Sequence, residues 1–179
     1  ITDSPEPEAP GTSRHVEMQW KLSQLGIKAG SKIWVPANDR GRIRREFKFD
    51  EFEEQFTAGL DVPAPYVENI DVVWKAQYRI DAAFEVEHST SIYSGLLRFS
   101  DLKIVAPNST YPLYIVADAG RRQRLLDQLR RPTFRKSEIR EAVRFLPYDA
   151  VDDLWAEFCR NGGAMPPERV KEAAEDLSG

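Results

Sequence analysis

The chain has one cysteine, Cys159, and two histidines, His15 and His88. A lone thiol excludes an internal disulfide framework and a cysteine-built metal cluster, and fits a reducing compartment, the cytoplasm. Two imidazoles argue against a multi-histidine zinc site. No apolar run approaches the ~20 residues of a membrane helix. The chain opens Ile1-Thr2-Asp3-Ser4, without Met or an apolar stretch, so no secretory signal is read and a piece of a longer protein is expected. There is no Gly-rich phosphate loop, which argues against an NTPase. There is no Gly-x-Ser-x-Gly or Cys–His arrangement either, which argues against a serine or cysteine hydrolase.

What is present is enough for one domain: 179 residues, 41% hydrophobic and 11% aromatic. The net charge of −4 argues against a general nucleic-acid coat protein, but the charge is unevenly placed. Arg40, Arg42, Arg44, Arg45 and Lys48 form one basic segment, and Arg121 to Arg144 holds another. The acids gather at both ends and around Asp50–Glu54. Two solvated faces explain this pattern, and so does a surface turned toward nucleic acid.

Residues 1–12 are rich in Pro and acid and read as a disordered linker. A domain is expected over 13–161, followed by a helical tail over 162–179. Ser13 caps a first helix reaching Gly26, with Val16, Trp20, Leu22 and Leu25 on its apolar side. Lys32–Pro36 is a short strand, Asn38-Asp39-Arg40-Gly41 a turn, and Asp50 starts a short helix. Asn69–Trp74 and Ile80–His88 are strands joined near Gln77. A helix from Ser89 to about Leu102 has Ile92, Leu96 and Phe99 as its core face. Pro112–Ala117 is a strand, Arg121–Leu129 a basic helix, Ala142–Leu146 a strand and Ala150–Arg160 an amphipathic helix. Residues 166–177 read as a loosely held final helix. The fold class is α/β, with a mixed central sheet flanked by helices and further helices at the C-terminal end.

In Ala83-Phe84-Glu85-Val86-Glu87 the side chains alternate, so Ala83, Glu85 and Glu87 share one face while Phe84 and Val86 enter a core. Neighbouring glutamates among apolar residues need solvent, a cation or a metal, and their repulsion raises a pKa. Asp71, an acid embedded in Ile70-Asp71-Val72-Val73-Trp74, can meet Glu85 if the two strands pair. Three converging carboxylates are hard ligands for Mg²⁺ or Mn²⁺. The plainer explanation is ion pairing with Arg79 or Arg98.

Asp71, followed after thirteen residues by Glu85-Val86-Glu87, resembles the PD-(D/E)xK nuclease superfamily, the restriction-endonuclease-like and Mrr-like domains. The order of elements from residue 13 to 146 resembles its α-β-β-β-α-β core. Two positions depart from the pattern: Ile70 stands where the family has Pro, and Glu87 stands where it has Lys. The resemblance implies a metal-dependent endonuclease acting on DNA, RNA being the lesser expectation, with Asp71, Glu85 and Glu87 as catalytic and metal-holding residues. Glu87 then serves as a metal ligand or a general base. Glu17 is the candidate for the extra acid that several members carry on the first helix, helix surface being the alternative. Gln19 is its hydrogen-bonding neighbour, and His15 and His88 are weaker candidates. Ser89 and Thr90 at a helix start, Arg98, and Arg121, Arg122, Arg42 and Arg44 are the candidate DNA contacts. A homodimer is expected from the need to cut two strands, and further domains of the same protein are expected as partners. The rivals are a nuclease fold that binds DNA or protein without cutting, and a scaffold with no nucleic acid at all.

Overall fold

A computed structural model describes residues 13–56, 64–77, 79–87, 92–106 and 110–179. Helix α1 spans Arg14–Lys28, and the Ser13 hydroxyl accepts from the Val16 amide at 3.2 Å, as an N-cap should. Gly26 lies in its last turn because nothing larger fits: a Cβ there would be 2.4 Å from Ile33 and 2.5 Å from Trp74. Strand β1 (Lys32–Trp34) follows.

The expected turn at residues 38–41 is instead the start of helix α2 (Ala37–Phe47). Gly41 faces open space and only weakens the helix, while Arg40 anchors it. The Arg40 guanidinium lies over the Trp34 ring at 4.6 Å, and its N–H groups reach the Val35 and Glu53 carbonyls at 2.8 and 2.7 Å. Lys48, with φ 56°, ends the helix, and no helix forms at Asp50.

Strands β2 (Val72–Lys75), β3 (Ile80–Glu87), β4 (Leu113–Ala117), β5 (Val143–Pro147) and β6 (Glu175–Asp176) join β1 in one sheet in the order β1-β2-β3-β4-β5-β6. The β3–β4 and β4–β5 pairs are parallel and the others antiparallel, so the sheet is mixed. Helix α3 (Ile92–Val105) makes the crossover from β3 to β4, and α4 (Arg122–Leu129), α5 (Pro132–Arg135) and α6 (Ile139–Ala142) make the next. Helices α7 (Tyr148–Phe158) and α8 (Glu168–Ala173) follow β5.

Alternation along the strands builds two cores. Val73, Ala83, Leu113, Ile115 and Phe145 pack against Ile92, Leu96, Phe99 and Leu102 of α3 and against Leu125, Phe134 and Ile139. Val72, Trp74, Phe84, Val86, Tyr114 and Val116 face α1 and α7, meeting Met18, Leu22, Val151 and Leu154. The expected stripe Ile92, Leu96, Phe99 is fully buried, each side chain worth roughly 1.5–3 kcal/mol.

The tail is held more firmly than its sequence suggests. Met165, Val170 and Leu177 are buried, and β6 pairs with β5 through Arg144↔Asp176 and Phe145↔Glu175. Ion pairs from Arg122 to Glu175 and from Arg144 to Asp176 tie it down. No helix among the described residues is long and apolar enough to cross a membrane.

Candidate metal centre

In the β2–β3 register Val72 faces Phe84 and Val73 faces Ala83, so Asp71, one residue before β2, falls opposite Glu85. The Asp71 Oδ2 accepts a hydrogen bond from the Val86 amide at 2.7 Å, and the Glu85 carboxyl is near enough to Asp71 for each to affect the other's titration. Glu85 and Glu87 lie on the α3 side of the sheet, 0% and 1% exposed. Helix α3 can approach them because Gly95 has no side chain: a Cβ there would be 2.6 Å from Glu87 Oε1 and 3.3 Å from Glu85 Cβ.

The same helix supplies the counter-charge. Arg98 donates from Nε and from a terminal nitrogen to the two Glu85 oxygens, each at 2.7 Å, a forked charge-assisted pair. Burial raises the Asp71 carboxyl above the ordinary range, and the nearby His15 and the Val86 amide work against that rise. Burial also raises Glu85 well above its usual value; the Asp71 charge adds to the effect and Arg98 opposes it. Two carboxyls set opposite each other repel when both are ionised, and a proton or a cation relieves that repulsion.

On the other side of Asp71 stand α1 and α2. His15 Nε2 is 3.5 Å from Asp71 Oδ1. Gln19, one helical turn along the same side of α1, donates to Asp39 Oδ2 at 2.9 Å and to the Asp71 carbonyl at 3.2 Å. One ligand atom each from His15, Asp39 and Asp71 lie within 4.8 Å of one another. Asp39 was missed in the sequence because its local pattern reads as a turn; only the docking of α2 brings it here.

Glu17 is two residues beyond His15 and so on the opposite side of α1. It pairs with Lys21 at 2.8 Å and Arg14 at 3.0 Å. Both cations also reach Asp152 of α7, Arg14 at 2.6 Å and Lys21 at 2.7 Å. Burial pulls the Glu17 carboxyl up, and Lys21 and Arg14 more than reverse that. The structure thus sets Asp71 opposite Glu85, with Glu87 two residues further along β3; among the described residues the acids and histidines whose ligand atoms lie within 4.8 Å of one another are His15, Asp39 and Asp71, and Glu17 is held in a clamp between α1 and α7.

The candidate DNA contacts are dispersed. Arg98 is engaged by Glu85, Arg42 lies 3.5 Å from Glu46, Arg44 pairs with Asp50 and Arg122 with Glu175. Arg121 ends a 3₁₀ turn after β4, whose last residue, Ala117, is level with Glu87. Ser89, Thr90 and His88 lie outside the described residues. Tyr148, also missed, donates its hydroxyl to the Glu87 carbonyl at 2.9 Å and fixes the end of β3.

Residues 2–173 match the family model described as the Type II restriction enzyme NmeDI C-terminal domain. The chain is also similar to the Type II restriction enzyme NmeDI of Neisseria meningitidis serogroup C, with 29% identity over 153 residues. That alignment covers 80% of this chain and 42% of the relative, so the chain spans less than half of that protein's length. No solved structure matches.

Proposed function

The chain belongs to the family of Type II restriction enzyme NmeDI C-terminal domains, and we propose that it is the catalytic part of a DNA-cleaving restriction enzyme, a PD-(D/E)xK nuclease domain dependent on Mg²⁺ or Mn²⁺. The observation that carries this reading is the meeting of Asp71 and Glu85 across β2 and β3, with Glu87 next on the same face. The succession α1, β1, β2, β3, α3, β4, with α2 inserted, supports a restriction-endonuclease-like core.

The donors fit a divalent ion. Asp71 and Glu85 offer hard oxygens at raised pKa, and Asp39 and His15 stand next to Asp71. Asp71 and Glu85 would hold it, with Glu87 as a further ligand or as the group that takes a proton from water. Bound there, the metal would polarise the scissile phosphate and lower the pKa of the attacking water. Arg98 keeps Glu85 oriented, and Gly95 keeps the site compact. Cutting both strands calls for two such sites, so two copies working together in the cytoplasm, joined to the rest of a longer protein, complete the reading.

One observation favours a second reading. Arg98 already neutralises Glu85, and Glu87 replaces the motif Lys, as in a fold that keeps DNA binding and has lost cleavage.

Plasmid cleavage with Mg²⁺ or Mn²⁺, by the chain and by Asp71→Asn and Glu85→Gln, separates the two. Nicking or linearisation that both substitutions and EDTA abolish is the expected result. DNA binding with no cleavage under either metal establishes the second reading instead.

A further inference from the structure

We propose that Arg130, Arg135 and Arg140 form a phosphate-binding cleft for the backbone of duplex DNA, separate from the carboxylate centre; the identity of the polyanion rests on the nuclease reading above. The three arginines recur every five residues, and each directly follows a buried apolar anchor: Leu129, Phe134 and Ile139, exposed by 2%, 0% and 1%. The anchors belong to the core on the α3 side of the sheet and pin α4, α5 and α6 in place. The arginines that follow them therefore stand at the rim of one cleft, of about 320 Å³, which all three line.

Their charge is only partly compensated. Among the described residues the acid paired with Arg130 is Asp127, one turn back at 3.6 Å, and Arg135 and Arg140 have no ion pair. Arg42, Arg44, Arg98 and Arg122, by contrast, each have a carboxylate. Three guanidinium groups lining one cleft, with a single paired acid between them, leave excess positive charge there, and an anion compensates it. A cleft lined by one sign of charge concentrates field, and the guanidinium fork matches phosphate oxygens. In a chain of net charge −4 this is a local device and not general basicity.

The cleft lies on the side of the sheet that carries the acids. Phe134 packs on Tyr93 at 5.6 Å and Arg131 covers the same ring at 4.8 Å. Tyr93 is in the first turn of α3, the helix that brings Gly95 and Arg98 to Glu87 and Glu85. The cleft and the carboxylates thus share one side of the sheet, with α3 packed between them.

The test is the salt dependence of duplex binding, read by anisotropy of a labelled duplex in EDTA from about 50 to 200 mM KCl. Each phosphate contact contributes about 0.9 to the slope of log K against log salt. Arg135→Gln with Arg140→Gln should lower the slope by about 1.8 and weaken binding equally on unrelated sequences. Arg135→Gln alone, at an exposed position where folding is not at stake, should lower it by about 0.9. Arg169→Gln, whose partners are Glu157 and Glu172, should leave it unchanged. Mn²⁺ titration should be the same in all of them. A wild-type slope in the double variant overturns the proposal, as does failure of the unaltered chain to bind duplex. If the arginine variants weaken binding while Asp71→Asn still cleaves, the cleft stands and the assignment of the cutting site falls.

Discussion

Gly95 and Glu87 are in contact across the α3–β3 interface: a Cβ on Gly95 would stand 2.6 Å from Glu87 Oε1, with Glu85 Cβ 3.3 Å away. In an open helix, Gly→Ala gains about 0.8–1 kcal/mol. Here Glu87 is 1% exposed and has little room to retreat. Gly95→Ala should therefore lose that gain and destabilise the domain by about 1–3 kcal/mol, as overpacking does. Urea denaturation gives the number. Cleavage should fall further than stability does, because the displaced atoms are the carboxylates themselves.

Arg98→Met leaves Glu85 buried without its counter-charge. Breaking a buried pair costs about 3–5 kcal/mol, and the 28% exposure of Arg98 places the loss at the lower end. Replacing Glu85 by Met as well should restore most of it, since an apolar pair of similar volume carries no stranded charge. A double-mutant cycle in urea measures the coupling; additive losses would mean that Arg98 is not the partner that matters.

The pH dependence has two limbs of opposite sign. Asp71 and Glu85 are raised, by burial above all, so the folded domain holds protons there that the unfolded chain releases. Their stabilisation is complete below the ordinary carboxylate values, about 4, and is lost as pH rises through the raised ones. Asp152 runs the other way: burial pulls it up, but Arg14 and Lys21 hold it below its usual value. Its contribution is present above that usual value and is lost as pH falls through the lowered one. Melting curves without metal should show Asp152→Asn flattening the acid limb and Asp71→Asn the limb toward higher pH. Mn²⁺ should restore stability on that second limb and release protons on binding, which calorimetry in buffers of different ionisation heat detects.

His15 and Asp39 are expected to discriminate between metals. Imidazole suits transition metals better than Mg²⁺, while carboxylate oxygen serves both. His15→Ala should weaken Mn²⁺ binding more than Mg²⁺ binding, and Asp39→Asn should weaken both. Equal losses for the two metals in His15→Ala would remove the imidazole from the coordination shell.

Local pattern was enough for the central strands. Phe84 and Val86 alternate with Glu85 and Glu87, and a period of two leaves one face for each set; the structure puts them on those faces. Ile92, Leu96 and Phe99 announced their face of α3 in the same way. What failed were features that depend on tertiary contacts. Residues 38–41 carry turn chemistry, yet Arg40 on Trp34 makes a helix of them and carries Asp39 toward Asp71. Glu17 and His15 are near neighbours in sequence, and only the rotation of α1 decides which one meets Asp71. The tail looked weakly apolar because Met165, Val170 and Leu177 are far apart in sequence, each filling a separate gap.

Strand β2 begins at Val72, opposite Phe84, one step short of Glu85, and the Asp71 side chain takes up the Val86 amide. A carboxylate in that position makes the Val86 N–H a spectroscopic reporter. Its nitrogen and proton resonances should move when Asp71 gains a proton and move differently when it gains a metal. A single backbone signal, away from the crowded side-chain region, would thus follow the loading of the centre without any substrate present.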